Sequence, residues 1–376
     1  MKQKIYLLFL PLAIWLFLGQ LYQFYYDFLE LMPQQETGPK RRVAFLKTHK
    51  CASTTIQNIL LRYAYKNNLT LVLPNQGNYI FNGPDGFTLE GTQWYQSDTK
   101  PDIFCLHSIW NDMNQVKNVL GAQVYFTILR DPIDAFESLW TYENCSKHFQ
   151  SVFGKMPSID EFIEMSDKLD PRLVNFPRFS LKHVLFQDFG LPVFANQSMI
   201  KAKIQEIEDN FDLVMIMEDF ETSIVLLKQI LDWDYEDLAS LKLNARMEHY
   251  KQLISNETRS KMKVWLKDDY QLYNHFKAKL ESLKAQFGYW TLRNELKKYH
   301  IVQEIARAKC PMEIVSKFSL PVEDRPYGHG TQAYRMVNKT KNGPTIDQEC
   351  QLLGIQELKF ISFLRVWQNN RINRLA

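Results

Sequence analysis

Phe45 to Thr55 carry the densest set of reactive groups in the chain: Lys47, Thr48, His49, Lys50, Cys51, Ser53, Thr54 and Thr55. They follow a short apolar run, Val43 to Leu46, and precede Ile56, Ile59, Leu60, Tyr63 and Ala64, which recur at helical spacing. The pattern predicts a strand, a tight loop and a helix, with Ser53 or Thr54 as N-cap. Orphan N–H groups, hydroxyls and ammonium heads meeting at the positive end of a helix dipole make a cradle for phosphate, with Lys50, Cys51, Ala52, Ser53, Thr54 and Thr55 lining it. A Walker A loop it is not, because no glycine lies between Gly38 and Gly77. The plainer alternative is a polar loop entering an amphipathic helix.

A second segment favours the cradle. Val124 to Leu129 is a nearly continuous β-branched and aromatic run, expected of a strand buried on both faces. Asp131-Pro132 then reads as N-cap and N1 of a helix whose inward face carries Ile133, Phe136, Leu139 and Trp140. Arg130 therefore falls at the carboxyl end of a strand, where open α/β sheets bind ligands, and its guanidinium suits a bidentate phosphate contact. A salt bridge to a carboxylate is the competing role for Arg130, and a solvated helix position the competing role for Ser138.

The elements that must position these groups alternate strand and helix. Residues 102–107 and 213–217 read as buried strands, and residues 220–231, 259–285 and 356–367 as helices. The fold class is α/β, a mostly parallel sheet covered by helices on both faces. His107 ends a predicted strand, so it should point to the same edge as Lys50 and Arg130. Group transfer to an alcohol gains from proton removal, and histidine titrates in the right range to do it.

These segments resemble the galactose 3-O-sulfotransferase family, which includes galactosylceramide sulfotransferase. The resemblance rests on Phe45 to Thr55, on Phe126 to Ser138 and on Leu241-Lys242-Leu243-Asn244-Ala245-Arg246, in that order. It implies a P-loop-like sulfotransferase fold and 3′-phosphoadenosine 5′-phosphosulfate (PAPS) as donor. Its 5′-phosphosulfate would lie on the first segment and its 3′-phosphate on Arg130 and Ser138. It also implies a galactose-terminated glycolipid or glycan as acceptor, His107 as base within Cys105-Leu106-His107, and a bridge between Cys310 and Cys350. Lys50, helped by Lys47, would stabilise the leaving group, with His49 assisting near the sulfate. Relatives carry a polar residue where this chain has Leu106, and an arginine shortly after that is absent from Ser108-Ile109-Trp110. Cys51 stands where relatives usually have threonine, and reads as a small filler rather than a nucleophile.

Length and charge agree with one large catalytic domain. The chain has 376 residues and a net charge of +3, which gives no sign of a nucleic-acid partner. The run from Ile5 through Tyr26 is long and apolar enough to span a bilayer, preceded by Lys2 and Lys4. A cleaved signal peptide is the alternative, but no small-x-small site follows the run. The expected organisation is a cytosolic tail at 1–4, an anchor at 5–26, a stem at 27–41 and a lumenal domain at 42–376. Within that domain a donor-binding core should cover about 42–246, and a helical part about 247–376. The placement would be a single-pass type II protein of the Golgi membrane. Five sequons, at Asn68, Asn144, Asn196, Asn256 and Asn338, fit that route. There is no C-x-x-C and no histidine–cysteine cluster with ligand spacing, so no metal is expected. A homodimer is compatible with the sequence, which does not fix the oligomeric state. Two other readings compete: a P-loop-like nucleotide kinase, disfavoured by the missing glycines, and an inactive glycan-binding relative.

Overall fold

The structure, a computed structural model, describes residues 38–75, 87–90, 92, 100–176, 179–192, 194–328, 330–337 and 347–375. The anchor expected over 5–26, most of the stem and Asn338 lie outside the described residues. Among those described, no helix is long and apolar enough to cross a membrane. Lys40–Ala376 forms one compact unit.

At its centre are four parallel strands: β1 (Val43–Leu46), β2 (Ile103–Phe104), β3 (Val124–Leu129) and β4 (Leu213–Ile216), in spatial order β2-β1-β3-β4. Every residue of these strands is buried, as the unbroken apolar runs require. Each larger side chain contributes about 1.5–3 kcal/mol on burial. Strand 102–107 is shorter than expected: only Ile103 and Phe104 pair, and His107 lies three residues beyond the ladder.

Parallel neighbours need crossovers, and helices supply them. α1 (Ser53–Lys66) follows β1 and α2 (Met113–Leu120) precedes β3. α3 (Pro132–Tyr142) leaves β3, and α4 (Gln197–Asn210) enters β4. α5 (Phe220–Leu231) follows β4 with the boundaries expected for it. The Asp131 carboxylate caps Ile133 and Asp134 N–H, with Pro132 at N1 as expected. The cap of α1 differs: Ala52 takes that place in the left-handed region, and the Ser53 hydroxyl donates to Thr48 O instead.

The single helix expected over 259–285 is two, α6 (Asn256–Trp265) and α7 (Lys267–Phe287), broken at Leu266. A helix absent from the sequence reading, α8 (Tyr289–Lys309), packs only a thin stripe, Leu292, Tyr299 and Gln303, inward. A hairpin follows, β5 (Met312–Ser316) with β6 (Gln332–Met336), and then α9 (Glu357–Leu375), which packs on α1. The bridge implied between Cys310 and Cys350 is present, with Cα atoms 5.1 Å apart. Asn68, Asn144, Asn196 and Asn256 are all exposed.

Closing a loop across a sequence separation of 40 residues should stabilise the domain by about 4 kcal/mol through the unfolded state. Cys350→Ser, or reduction of the native protein, should therefore lower the urea midpoint. An unchanged midpoint would mean that the bridge constrains nothing the fold does not already hold.

Candidate active site

The carboxyl ends of β1 and β3 are tied together by two hydroxyls. Thr127 Oγ1 donates to Leu46 O at 2.9 Å, and Thr48 Oγ1 donates to Ile128 O at 2.5 Å. These bonds satisfy carbonyls where the ladder ends and fix the start of the loop. The loop then turns without glycine: Lys50 (φ 60°) and Ala52 (φ 61°) both sit in the left-handed region, a strain found chiefly where surrounding contacts impose it. Two hydroxyls of the predicted cradle serve the fold. Ser53 donates to Thr48 O, while Thr55 Oγ1 donates to Leu241 O and accepts from Leu243 N. Through Thr55 the Leu241–Arg246 segment is held against α1. Arg246 in turn forms an ion pair with buried Glu137 of α3.

Lys47 is 1% exposed. Its Nζ donates to His107 Nε2 at 2.9 Å and to both carboxylate oxygens of Glu357, on α9, at 3.1 Å. His49 is held by Asp188: the backbone N–H donates to Oδ2 at 2.8 Å and ring Nδ1 to Oδ1 at 2.7 Å. The two imidazoles stack with centroids 4.2 Å apart. The two rings differ in what occupies their nitrogens. Accepting from Lys47 puts the His107 proton on Nδ1, and burial, then the Lys47 charge, holds that ring well below the usual histidine value. His49 carries its proton on Nδ1 toward Asp188, which leaves Nε2 as an acceptor. Ligand-capable atoms of His49, His107 and Asp188 lie within 4.8 Å of one another, a grouping no sequence spacing reveals. The Lys47 ammonium already sits against His107 Nε2.

Lys50 lies 3.3 Å above the centroid of the Tyr142 ring. Burial, then Lys47, lowers its ammonium to about 7, while the ring face favours the charged form and opposes that shift. Arg130 Nη1 makes a long contact, 3.3 Å, with Lys50 O. Its Nε is buried without a hydrogen-bond partner, and no carboxylate pairs with it among the described residues. Ser138 is half-buried on α3, one turn before Tyr142 and on the same face. Thr54 reaches Glu357 Oε2 only at 3.5 Å. Cys51 is buried, its thiol donates to His49 O and its pKa is pushed up to about 12 by burial, which suits a filler.

The structure thus brings Lys47, His49, Lys50, His107 and Arg130 to one edge of the sheet. It adds three residues that sequence reasoning did not single out. Glu357 and Asp188 are carboxylates far away in sequence, and Tyr142 closes the helix whose start was read correctly. The only sequence signal for Tyr142 was its i,i+4 relation to Ser138.

Known proteins resemble this chain over most of its length. Residues 7–316 match the family model described as Galactose-3-O-sulfotransferase. The chain is similar to galactose-3-O-sulfotransferase 2 of Mus musculus, 29% identical over 96% of this chain and 93% of that protein. It is 30% identical to the Homo sapiens protein of the same name, over 89% of this chain and 85% of the relative. Galactosylceramide sulfotransferase of Homo sapiens is 32% identical over 73% of this chain and 65% of its own length. A lysine–histidine loop at the end of a central parallel strand, an unpaired arginine at the end of its neighbour and this likeness across most of the chain place it in the galactose-3-O-sulfotransferase family, as a carbohydrate sulfotransferase.

Proposed function

We propose that the chain transfers the sulfuryl group of PAPS to the 3-hydroxyl of a galactose on a glycolipid or glycan. The observation that carries this reading is Arg130, a guanidinium with a buried, unpartnered Nε and no carboxylate, beside Lys50 at the ends of adjacent strands. Such a site fits a polyanionic nucleotide better than it fits an internal salt bridge. Bound there, the donor supplies the sulfuryl group and departs as 3′,5′-bisphosphoadenosine (PAP). Arg130 and Ser138 would hold its 3′-phosphate, and Lys50 with Lys47 would take up charge on the oxygen leaving sulfur.

The base the geometry favours is His49 rather than His107. His49 Nε2 is a lone-pair acceptor oriented by Asp188, the arrangement that positions an imidazole to take a hydroxyl proton. His107 offers its Nε2 to Lys47, so in this proposal it positions that ammonium and backs the His49 ring. The acceptor oxygen attacks sulfur, its proton passes to His49 Nε2, and the S–O bond to the nucleotide breaks. Golgi residence as a type II membrane protein is proposed with it. The apolar run at 5–26, four exposed sequon asparagines and the Cys310–Cys350 bridge support that placement.

Arg130→Ala should weaken PAP binding by about 2–3 kcal/mol, and Ser138→Ala by about 1 kcal/mol. Calorimetry giving wild-type affinity for Arg130→Ala would remove the donor assignment.

For the chemistry, His49→Ala and Asp188→Asn should each lower kcat by about 10²–10⁴-fold with PAP affinity nearly unchanged. His107→Ala should also lose activity, but keep the acid limb of the pH–rate profile. An acid limb well below pH 6.5 that disappears in His107→Ala would return the base to His107. Chelation by EDTA should leave turnover intact; strict metal dependence would instead put a cation in the His49–His107–Asp188 cluster.

Lys50 adds a pH signature. An anion prefers the charged ammonium, which in the free protein loses its proton near pH 7. PAP affinity should therefore fall as pH rises above 7, with proton uptake on binding, and Lys50→Ala should flatten that slope. Flat wild-type affinity from pH 6 to 9 would show that Lys50 does not titrate in the free site.

A further inference from the structure

Beside the lysine loop lies a cavity of about 350 Å³, lined by Tyr142, Lys317, Arg325, Tyr327 and Leu358. Its position relative to the proposed reaction is fixed by two walls. Tyr142 carries the Lys50 ammonium on its ring, and Leu358 follows Glu357, which holds Lys47. The cavity therefore adjoins the end of the site where sulfur would be transferred. Its outer wall is the segment between β5 and β6. That segment approaches so closely that a Cβ on Gly328 (φ 91°) would fall 2.1 Å from the Tyr142 ring. The approach is built into the backbone, since a side chain at that position would clash whatever its conformation.

The chemistry of the wall is cationic and aromatic. Lys317 donates to Gly328 O and Arg325 Nε to Leu320 O, both neutral carbonyls. Asp324, the acid beside Arg325, is paired with Lys359 instead. Neither Lys317 nor Arg325 has a carboxylate within ion-pair distance among the described residues. Burial, then the Arg325 charge, lowers the Lys317 ammonium. Phe318 lies between them, 5.5 Å from Lys317 Nζ and 5.8 Å from the Arg325 guanidinium, and is 67% exposed; Tyr327 is 63% exposed. Two cations without counter-charge, flanked by exposed rings, describe a surface for a sugar that bears an acidic group.

We infer that this cavity is an acceptor subsite for a sulfate ester or carboxylate carried on the sugar next to the one that is sulfated. The inference rests on the proposed transfer reaction for its orientation, and it deepens that reading by naming the acceptor class: acidic glycans over neutral ones.

The test measures equilibrium binding, with turnover as a separate control. Full-length wild type and the double variant Lys317→Gln/Arg325→Gln are titrated with a galactoside whose neighbouring sugar carries a sulfate, with its unsulfated parent, and with PAP. Wild type should bind the sulfated glycoside about tenfold tighter or more than the parent, one charge-assisted contact's worth. The double variant should lose that preference, with PAP affinity, thermal midpoint and turnover of the neutral galactoside unchanged. Equal wild-type affinity for the two glycosides would overturn the inference. So would a parallel loss of PAP affinity in the double variant, because the cations would then serve the nucleotide. Should no galactoside be sulfated while the binding preference persists, the transfer reading fails and the acidic subsite stands.

Discussion

An ammonium taken almost wholly out of water needs its counter-charge, and at Lys47 that charge comes from Glu357, 310 residues further along the chain. Removing one partner of such a pair costs several kcal/mol, since the other is left buried and uncompensated. Much of the site follows from this one contact. It docks the first turn of α9 against the loop after β1, and it points the remaining Lys47 hydrogen bond at His107. With Nε2 of His107 so occupied, the stacked ring of His49 is the imidazole left with an acceptor nitrogen. The contact also sorts the cations. Lys47 already faces a carboxylate, whereas Lys50 and Arg130 have none within ion-pair distance among the described residues.

What the sequence made legible was local. The runs Val43–Leu46 and Val124–Leu129, each followed by a helical period, identify two strand–loop–helix units, because burial on both faces demands an unbroken apolar run and the Asp131-Pro132 start has few other uses. That Lys50 and Arg130 share one edge followed from parallel strands ending together. Less legible was anything set by distant partners. Ser53 looked like a cap because its type and place allow it. Yet its hydroxyl bonds back to Thr48 O, an outcome decided by a left-handed Ala52. Leu266 breaks a helix that hydropathy alone would have carried through, and α8 escaped notice because most of its surface is exposed.

The carboxylates were the hardest part. Asp188 sits in a short turn between elements, and Glu357 opens a helix that otherwise reads as a core-facing stripe. Nothing in their neighbourhoods marks them as partners of His49 and Lys47, 139 and 310 residues away. The match to the family model ends at residue 316. Glu357, and with it the wall formed by Arg325, Tyr327 and Leu358, lies beyond that point.

This division has a physical sense. Binding a polyanion requires a cluster of cations, and such a cluster raises the energy of the empty fold. Lys50 shows this repulsion directly, its ammonium weakened by burial and by Lys47. Preorganised charge of this kind acts on a developing negative charge without reorganising, provided the rest of the structure holds it in place. Here the restraint comes from both ends of the domain: the Thr127 and Thr48 staples from the sheet, and Glu357 from α9. The sheet edge, read easily from the sequence, sets where the cations converge. The C-terminal elements set which of those charges stay available, by supplying the carboxylate that compensates Lys47.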